Sequence, residues 1–322
     1  MSSATPASSV LHARLVAKAR LRHLQLLVAV ADSGSVRRAA EQIGMSQPAA
    51  TQALADIEGL LGTPLFERHV RGMRLTAAGR AMVPMARNTL SALRASTDTV
   101  HALQAGASGV LRVGALPASV SGLLCQVLPS FAERHPALRI EVLEAPGDQL
   151  LADVMSGRVD MALCRRPREL PAPCTFERLA PDVPWIAAGR RHPLVRQSQP
   201  TLADLRAARW MAPPQGIGVR RVLDALFDQP DAPKPELHPI STTSLPLVLE
   251  LLHSHRVIAL VPRSIIAPFV EWGLVARVPY DFDAELDSLG VLQSPENDSP
   301  AVAACVAALR EAARAETAAW TA

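Results

Sequence analysis

The first pattern along the chain is helical. Leu24, Leu27, Val28 and Ala31 stand at i, i+3, i+4 and i+7, one face of a helix that Ser33-Gly34 stops. Ser35 is placed to cap a second helix, in which Val36, Ala39, Ala40 and Ile43 repeat the spacing. Gly44 supplies the residue that tolerates a positive φ at its end. Ser46 then caps a third helix, with Pro48 in the first turn, where a missing N–H costs nothing. Ala50, Ala53, Leu54, Ile57, Leu60 and Leu61 make its inner face, and Gly62 closes it. Two short helices joined by a tight, Gly-containing turn are a helix-turn-helix candidate, and the small Ala39 and Ala40 allow close packing on the third helix.

The polar side of that third helix carries the candidate chemistry. Ser46, Gln47, Ala49, Thr51 and Gln52 face outward at its front, and Asp56, the first acidic residue, waits until the far half. Amides pair with adenine, hydroxyls with several bases, and a methyl packs on thymine, so this set suits the edge of a major groove. "TPLFERHVRGMRLTAAG" then reads as a hairpin with Gly72 near its turn, bearing Arg68, Arg71 and Arg74. A basic wing beside a helix-turn-helix would grip the neighbouring backbone with salt-dependent affinity. A three-helix bundle with an ordinary polar face satisfies the helix spacing alone; the wing is what favours DNA. The expected DNA contacts are Ser35, Arg37, Ser46, Gln47, Pro48, Ala49, Thr51, Gln52, Arg68, Arg71 and Arg74.

Charge distribution agrees. The net charge of the 322-residue chain is only +3, but residues 1–105 carry a basic excess of six and the remainder an acidic excess of three. A basic first third points to a polyanion partner for that part. Arginine supplies 31 of the 33 basic residues, which suits phosphate and guanine contacts.

Beyond residue 108 the pattern changes to apolar strands alternating with helices, the mark of α/β layers, with mainly parallel sheets expected. Strands are expected at "GVLRVGAL", "LRIEVLE", "VDMALCR", "VPWIAAG", "VIALVP" and "LDSLGVLQ". Helices are expected at "SGLLCQVLPSFAERHP", "GDQLLADVMSGR", "SLPLVLELLHSH" and "SPAVAACVAALREAAR". Between the two regions, Ala86, Leu90, Leu93, Thr97 and Val100 recur at 4, 3, 4, 3 spacing, close to a heptad seam. "AGASG" reads as a joint after it.

The run "RRAAEQIGMSQPAATQALADIEGLLGTPLFERHVRGMRLTAAG" resembles the winged helix-turn-helix of the LysR-type bacterial transcriptional regulators. The matching features are the Ala-Ala pair, Ser46-Gln47-Pro48-Ala49, Ile57-Glu58, Leu61-Gly62, Leu65-Phe66-Glu67-Arg68, Arg71-Gly72, and Leu75-Thr76 with Gly79. The leader of about 20 residues is longer than usual for the family, and is expected to pack as an extra helical turn or stay mobile. The resemblance implies a multidomain α+β protein. Its parts would be a DNA-binding domain over 20–80, a linker helix over 81–107 that pairs with its twin, and an effector-binding domain over 108–322. That last domain would have two Rossmann-like halves like those of bacterial solute-binding proteins, one of 108–180 plus 284–322 and the other of 181–283. Implied partners are a double-stranded DNA operator, a small organic effector and a second copy, as homodimer or homotetramer.

In such sheets ligands sit beyond strand carboxyl ends. Ser119 and Ser121, Gln215 and Gly216 in "PPQGIG", and Thr242 and Thr243 in "STTSLP" are the expected effector contacts, with Arg165 and the adjoining Arg166 placed to clamp a carboxylate. The hydroxyl residues serve equally well as helix caps, and the arginines as solvated surface.

Other classes fit less well. No GxSxG, P-loop, G-x-G-x-x-G or metal quartet appears, so catalysis and cofactors are not expected. His253, Ser254 and His255 lack nearby third and fourth ligands, so a surface turn is expected there, with no metal. Cys125, Cys164, Cys174 and Cys305 show no C-x-x-C spacing and read as reduced thiols; a Cys164–Cys174 redox pair is the less favoured alternative. No export signal or membrane-length apolar run is read, so no membrane contact and a cytoplasmic location are expected. A cytoplasmic small-molecule-binding protein without a DNA role is the alternative, against which the basic first third argues.

Overall fold

The computed structural model describes residues 8–70, 72–104, 106–229, 232–254, 256–281, 284–297 and 299–321. The chain divides into two compact units, one running to His101 and including Ser156–Arg158, and the other formed by Ala102–Met155 and Val159–Ala322.

The first unit contains α1 (Ser8–Lys18), α2 (Leu21–Ser33), α3 (Val36–Gln42), α4 (Gln47–Leu61), the hairpin β1 (Phe66–His69) and β2 (Gly72–Leu75), and most of α5 (Ala77–Gln104). The described part of the leader thus forms a helix of three turns, Ser8–Lys18. One apolar cluster joins these elements: Leu26, Leu27 and Val30 from α2, Ala39 and Ala40 from α3, Ala50, Leu54 and Ile57 from α4, Leu65 and Phe66 beside the hairpin, and Ala86 from α5. Alanines at the α3–α4 contact leave no side-chain bulk to hold the helices apart. Gly34 ends α2 in the left-handed conformation (φ +65°), with its N–H donating to the Val30 carbonyl at 2.8 Å. The helix of α5 continues through Pro84, whose ring removes the N–H that the Arg80 carbonyl would otherwise accept.

The second unit carries two five-stranded sheets. The first half comprises β3 (Gly109–Ala115), α6 (Pro117–Ser119), a π-helical segment (Val120–Leu124), α7 (Cys125–Arg134), β4 (Leu138–Glu144), α8 (Gly147–Met155), β5 (Met161–Arg165) and β6 (Thr175–Asp182). The chain then enters β7 (Pro184–Ala188), α9 (Leu202–Ala207), β8 (Arg209–Met211), α10 (Gly218–Leu226), β9 (Glu236–Leu237), α11 (Leu245–Ser254), β10 (Val257–Pro262), α12 (Arg263–Glu271) and β11 (Ala276–Arg277). It returns to the first sheet as β12 (Leu286–Gln293) and finishes in α13 (Pro300–Thr321). Strand orders are β4-β3-β5-β12-β6 and β11-β7-β10-β8-β9.

These sheets are mixed, not mainly parallel as the alternation of strands and helices suggests. β3 pairs parallel with β4 and β5, and β8 with β10 and β9; β12 runs antiparallel to β5 and β6, and β7 to β10 and β11. The reason is the returning chain: β12 enters from the other half and so runs against its neighbours. Each sheet buries both faces. On the first, Leu111, Val113 and Val291 meet Phe131 of α7 and Val306 and Leu309 of α13, while Leu150 and Val154 of α8 cover the other side. In the second half Trp210 is fully buried, its indole N–H donating to the Leu205 carbonyl at 2.7 Å. No helix among the described residues is long and apolar enough to cross a membrane.

Candidate functional site

The turn between α3 and α4 is built from backbone bonds. Met45 N–H donates to the Ala40 carbonyl at 2.8 Å, and Gly44 takes φ +66°. Ser35 caps α3 through a bond from the Arg38 N–H at 3.5 Å, and the Arg38 guanidinium donates to the Ser33 carbonyl. Arg37, next to it, is exposed.

Ser46 caps α4, its hydroxyl oxygen accepting from the Ala49 N–H at 3.4 Å. Ser46, Gln47, Pro48, Ala49, Thr51 and Gln52 are all exposed, while Ala50, Ala53, Leu54 and Ile57 are buried. The front of the helix therefore presents an uncharged, hydrogen-bonding surface. Its members are not equally free. Thr51 donates its hydroxyl proton to the Gln47 carbonyl at 2.9 Å, leaving an acceptor and a methyl outward. The Gln52 amide donates one N–H to Asp56 at 2.8 Å, which ties that amide to the first carboxylate of the helix. The Gln47 amide shows no such internal bond among the described residues and can offer donor and acceptor together.

The wing is fastened to α4 by Glu58, whose Oε1 accepts from Leu65 N–H (2.7 Å) and Phe66 N–H (3.2 Å). It is fastened to α2 by Met73 N–H, which donates to the Gly34 carbonyl at 2.9 Å. A side chain at Gly72 (φ +123°) would place its Cβ 2.5 Å from that carbonyl oxygen, so the approach requires glycine. Thr76 closes the motif: its hydroxyl donates to the Pro64 carbonyl (2.8 Å) and accepts from Gly79 N–H (3.1 Å), starting α5.

Register decides where the wing charges point. Phe66 pairs with Leu75, Glu67 with Arg74, and Arg68 with Met73. Side chains alternate along a strand, so Arg68 shares the face of Phe66 and Leu75, while Arg74 stands on the opposite face beside Glu67. Both arginines are exposed. Arg71 lies outside the described residues.

In the second unit the expected ligand contacts are spread over several places. Ser119 ends α6; it is fully buried and its hydroxyl has no hydrogen-bond partner among the described residues. Ser121 lies in the π-helical segment, half-buried. Gln215 and Gly216 (φ +88°) form an exposed loop, anchored behind by Arg220, which donates to the Pro213 carbonyl at 3.1 Å. Thr242 accepts from Ser244 N–H at 3.0 Å, a local turn, and Thr243 is exposed. Arg165 is already engaged. Its guanidinium donates to Asp182 at 2.6 Å and to the Asp287 carbonyl. Asp182, fully buried, also accepts from the hydroxyl (2.8 Å) and N–H (3.2 Å) of Ser264 at the start of α12. Arg166 sits over the Phe176 ring.

A cleft of about 300 Å³ opens beside this cluster, lined by Arg165, Gly218, Arg221, Val222, Glu285 and Asp287 among others. It brings Arg165 together with α10 and the returning chain, and it does not include the expected serine, threonine or glutamine positions. Sequence reading misses Asp182 and Ser264 because nothing local signals a bond across 82 residues. The four thiols are free; Cys125 is exposed and the others are buried. Burial pushes Cys164 and Cys305 up to about 12. Among the described residues no group of three or more His, Cys, Asp or Glu side chains is arranged to hold a metal. His253 is exposed at the end of α11, and His255 lies outside the described residues.

Comparison with known proteins agrees with this geometry. The profile of the bacterial regulatory helix-turn-helix proteins of the lysR family matches residues 21–80, and that of the LysR substrate binding domain matches 104–314. The HTH-type transcriptional regulator GbpR of Azospirillum brasilense is 33% identical over 95% of this chain and 89% of its own length. GalR of Pseudomonas putida is 31% identical over 90% of this chain and 73% of its own. Among solved structures, full-length CbnR in complex with its target DNA superposes with a TM-score of 0.67 at 24% identity, covering 91% of this chain and 99% of that one. With a lysR-type helix-turn-helix in the first unit and a LysR substrate binding domain in the second, the chain belongs to the LysR family of DNA-binding transcriptional regulators.

Proposed function

We infer that the protein binds its operator as a cytoplasmic homodimer or homotetramer, and that a small organic effector between the halves of its carboxy-terminal domain modulates that binding. The observation that carries the reading is the front of α4, where exposed, uncharged hydrogen-bonding groups stand ahead of the first carboxylate, Asp56, which accepts from Gln52. Gln47, Thr51 and Gln52 read base edges there, with Ser35, Arg37 and the wing arginines on the backbone. For pairing of chains, the outer part of the α5 seam gives support: Leu93, Val100 and Leu103 are 44, 53 and 48% exposed in the single chain. For the effector, the buried hydroxyl of Ser119, unpartnered among the described residues, gives support as a donor and acceptor. Ser121, Gln215, Gly216, Thr242 and Thr243 complete the proposed contacts, with Arg165 at the edge of the cleft, held by Asp182 and the Asp287 carbonyl.

An effector can act only by binding one arrangement of the chains better than another. The test is a gel shift with the DNA immediately upstream of the protein's own gene, across a salt series, with and without small organic acids and sugars. Tight binding that survives competitor DNA, and a footprint changed by one of these compounds, is the expected result. Binding equally weak to all DNA at every salt would sink the operator reading.

A further inference from the structure

The family profile begins at residue 21, and α1 precedes it. This helix is nevertheless part of the folded unit. Leu15 packs on the helix-turn-helix core, Leu11 one turn earlier is half-buried, and α1 lies against α4, the helix that carries the base-reading set. With Leu11 and Leu15 turned inward, helical geometry puts Arg14 and Lys18 on one adjoining flank. Ala13, Val16 and Ala17 occupy the far side. Arg20 and Arg22 continue the basic run into the start of α2, and all four basic side chains are exposed. No carboxylate precedes Asp32 in the sequence, and Asp32 is held by Arg87.

Distance then argues for a ligand. A helix of about 10–12 Å diameter fills a major groove about 12 Å wide, so phosphate backbones border it on both sides. Helices packed together lie about 8–10 Å apart. At that spacing, an element packed on the flank of the groove-entering helix has a backbone within the length of an arginine or lysine side chain. Resting on the operator-binding reading above, we propose that α1 is an additional DNA-clamping element. Arg14 and Lys18, helped by Arg20 and Arg22, hold the phosphates that border the groove entered by α4.

The test uses the full-length protein and fluorescence anisotropy with labelled operator and random duplexes of equal length over a salt series. The double variant Arg14→Gln/Lys18→Gln should bind both duplexes more weakly by the same factor. Its log–log salt dependence should be shallower by nearly 2, at about 0.9 for each phosphate no longer neutralised. Arg14→Lys with Lys18→Arg, which keeps both charges, should restore the slope. Unchanged helicity and melting would show that the neutral variant is folded. Two results overturn the proposal alone: a slope equal to wild type, or a loss confined to the operator with the slope intact, which would mean that α1 merely props α4. A wild-type protein with no salt-dependent DNA binding would overturn this proposal and the operator reading together.

Discussion

A methyl group added at Gly79 has nowhere to go. Its Cβ would lie 2.0 Å from the Leu65 carbonyl oxygen, and that oxygen is fixed by the N–H of Thr76 at 3.0 Å. Gly79→Ala should therefore cost about 1–3 kcal/mol through forced backbone movement, read as a lower melting temperature of the full-length protein. The residue is legible in the sequence as one letter of a motif; its reason, a close approach between α5 and the loop before the wing, is not. The cysteines make a second case. Spacing alone leaves a Cys164–Cys174 pair open, whereas burial accounts for inert thiols. In the native protein Cys125 should react with a thiol-titrating disulfide at once, and Cys164, Cys174 and Cys305 only on unfolding; rapid loss of Cys164 under native conditions would contradict this. Cys164 and Cys305 ionise near 9 when unfolded and near 12 when folded. The stability they contribute is complete below about pH 9 and is lost as pH rises toward 12, which alkaline melting curves would register.

Among the elements, α2, α3 and α4 are readable because period, caps and glycine stops all agree. The wing is readable as a hairpin, but not the sides its arginines take, because register depends on where the turn falls. Arg68 and Arg74 face opposite ways, and only Arg74 stands opposite an acid. Arg68→Ala should weaken binding to all DNA alike and lower the salt slope by about 1. Glu67→Gln should strengthen binding to all DNA by removing the negative charge on the face that carries Arg74, and an unchanged affinity would mean that this face of the ribbon points away from DNA. On α4, Gln47→Ala should reduce discrimination between operator and random duplexes by about 1–3 kcal/mol, more than Gln52→Ala, whose amide is already held by Asp56. Strand β6 is hidden in the sequence for a physical reason. Its residues, TFERLAPD, include Pro181, which argues against a strand. Here β6 is an edge strand, and Pro181 falls at the register shift between the Leu286–Asp182 and Leu289–Ala180 pairs, where no ladder bond is lost.

At the scale of the whole molecule, the alternation of strands and helices locates the second unit but cannot give strand direction, since periodicity is the same for either pairing. Nor can it show what joins the halves. Asp182 does so: at the end of β6 it receives Arg165 from β5 and Ser264 from α12. Removing the carboxylate in Asp182→Ala strands a largely buried guanidinium, and should destabilise the second unit by about 3–5 kcal/mol, measured by denaturant unfolding. Melting equal to wild type would mean that water replaces the carboxylate freely.

The insertion of one half within the other also sets an order on synthesis. β12 lies between β5 and β6, so β6 has no neighbour in its sheet until β12 arrives. On the ribosome β7 through β11 emerge before that strand does, and the second half can assemble while the first still shows an open seam. A chain stalled near residue 280 would carry a finished half beside an unfinished sheet, with β5 and β6 offering bare edges to any neighbouring strand. Prematurely terminated copies should therefore aggregate or be degraded through their earlier half, although every residue missing from them comes later in the chain.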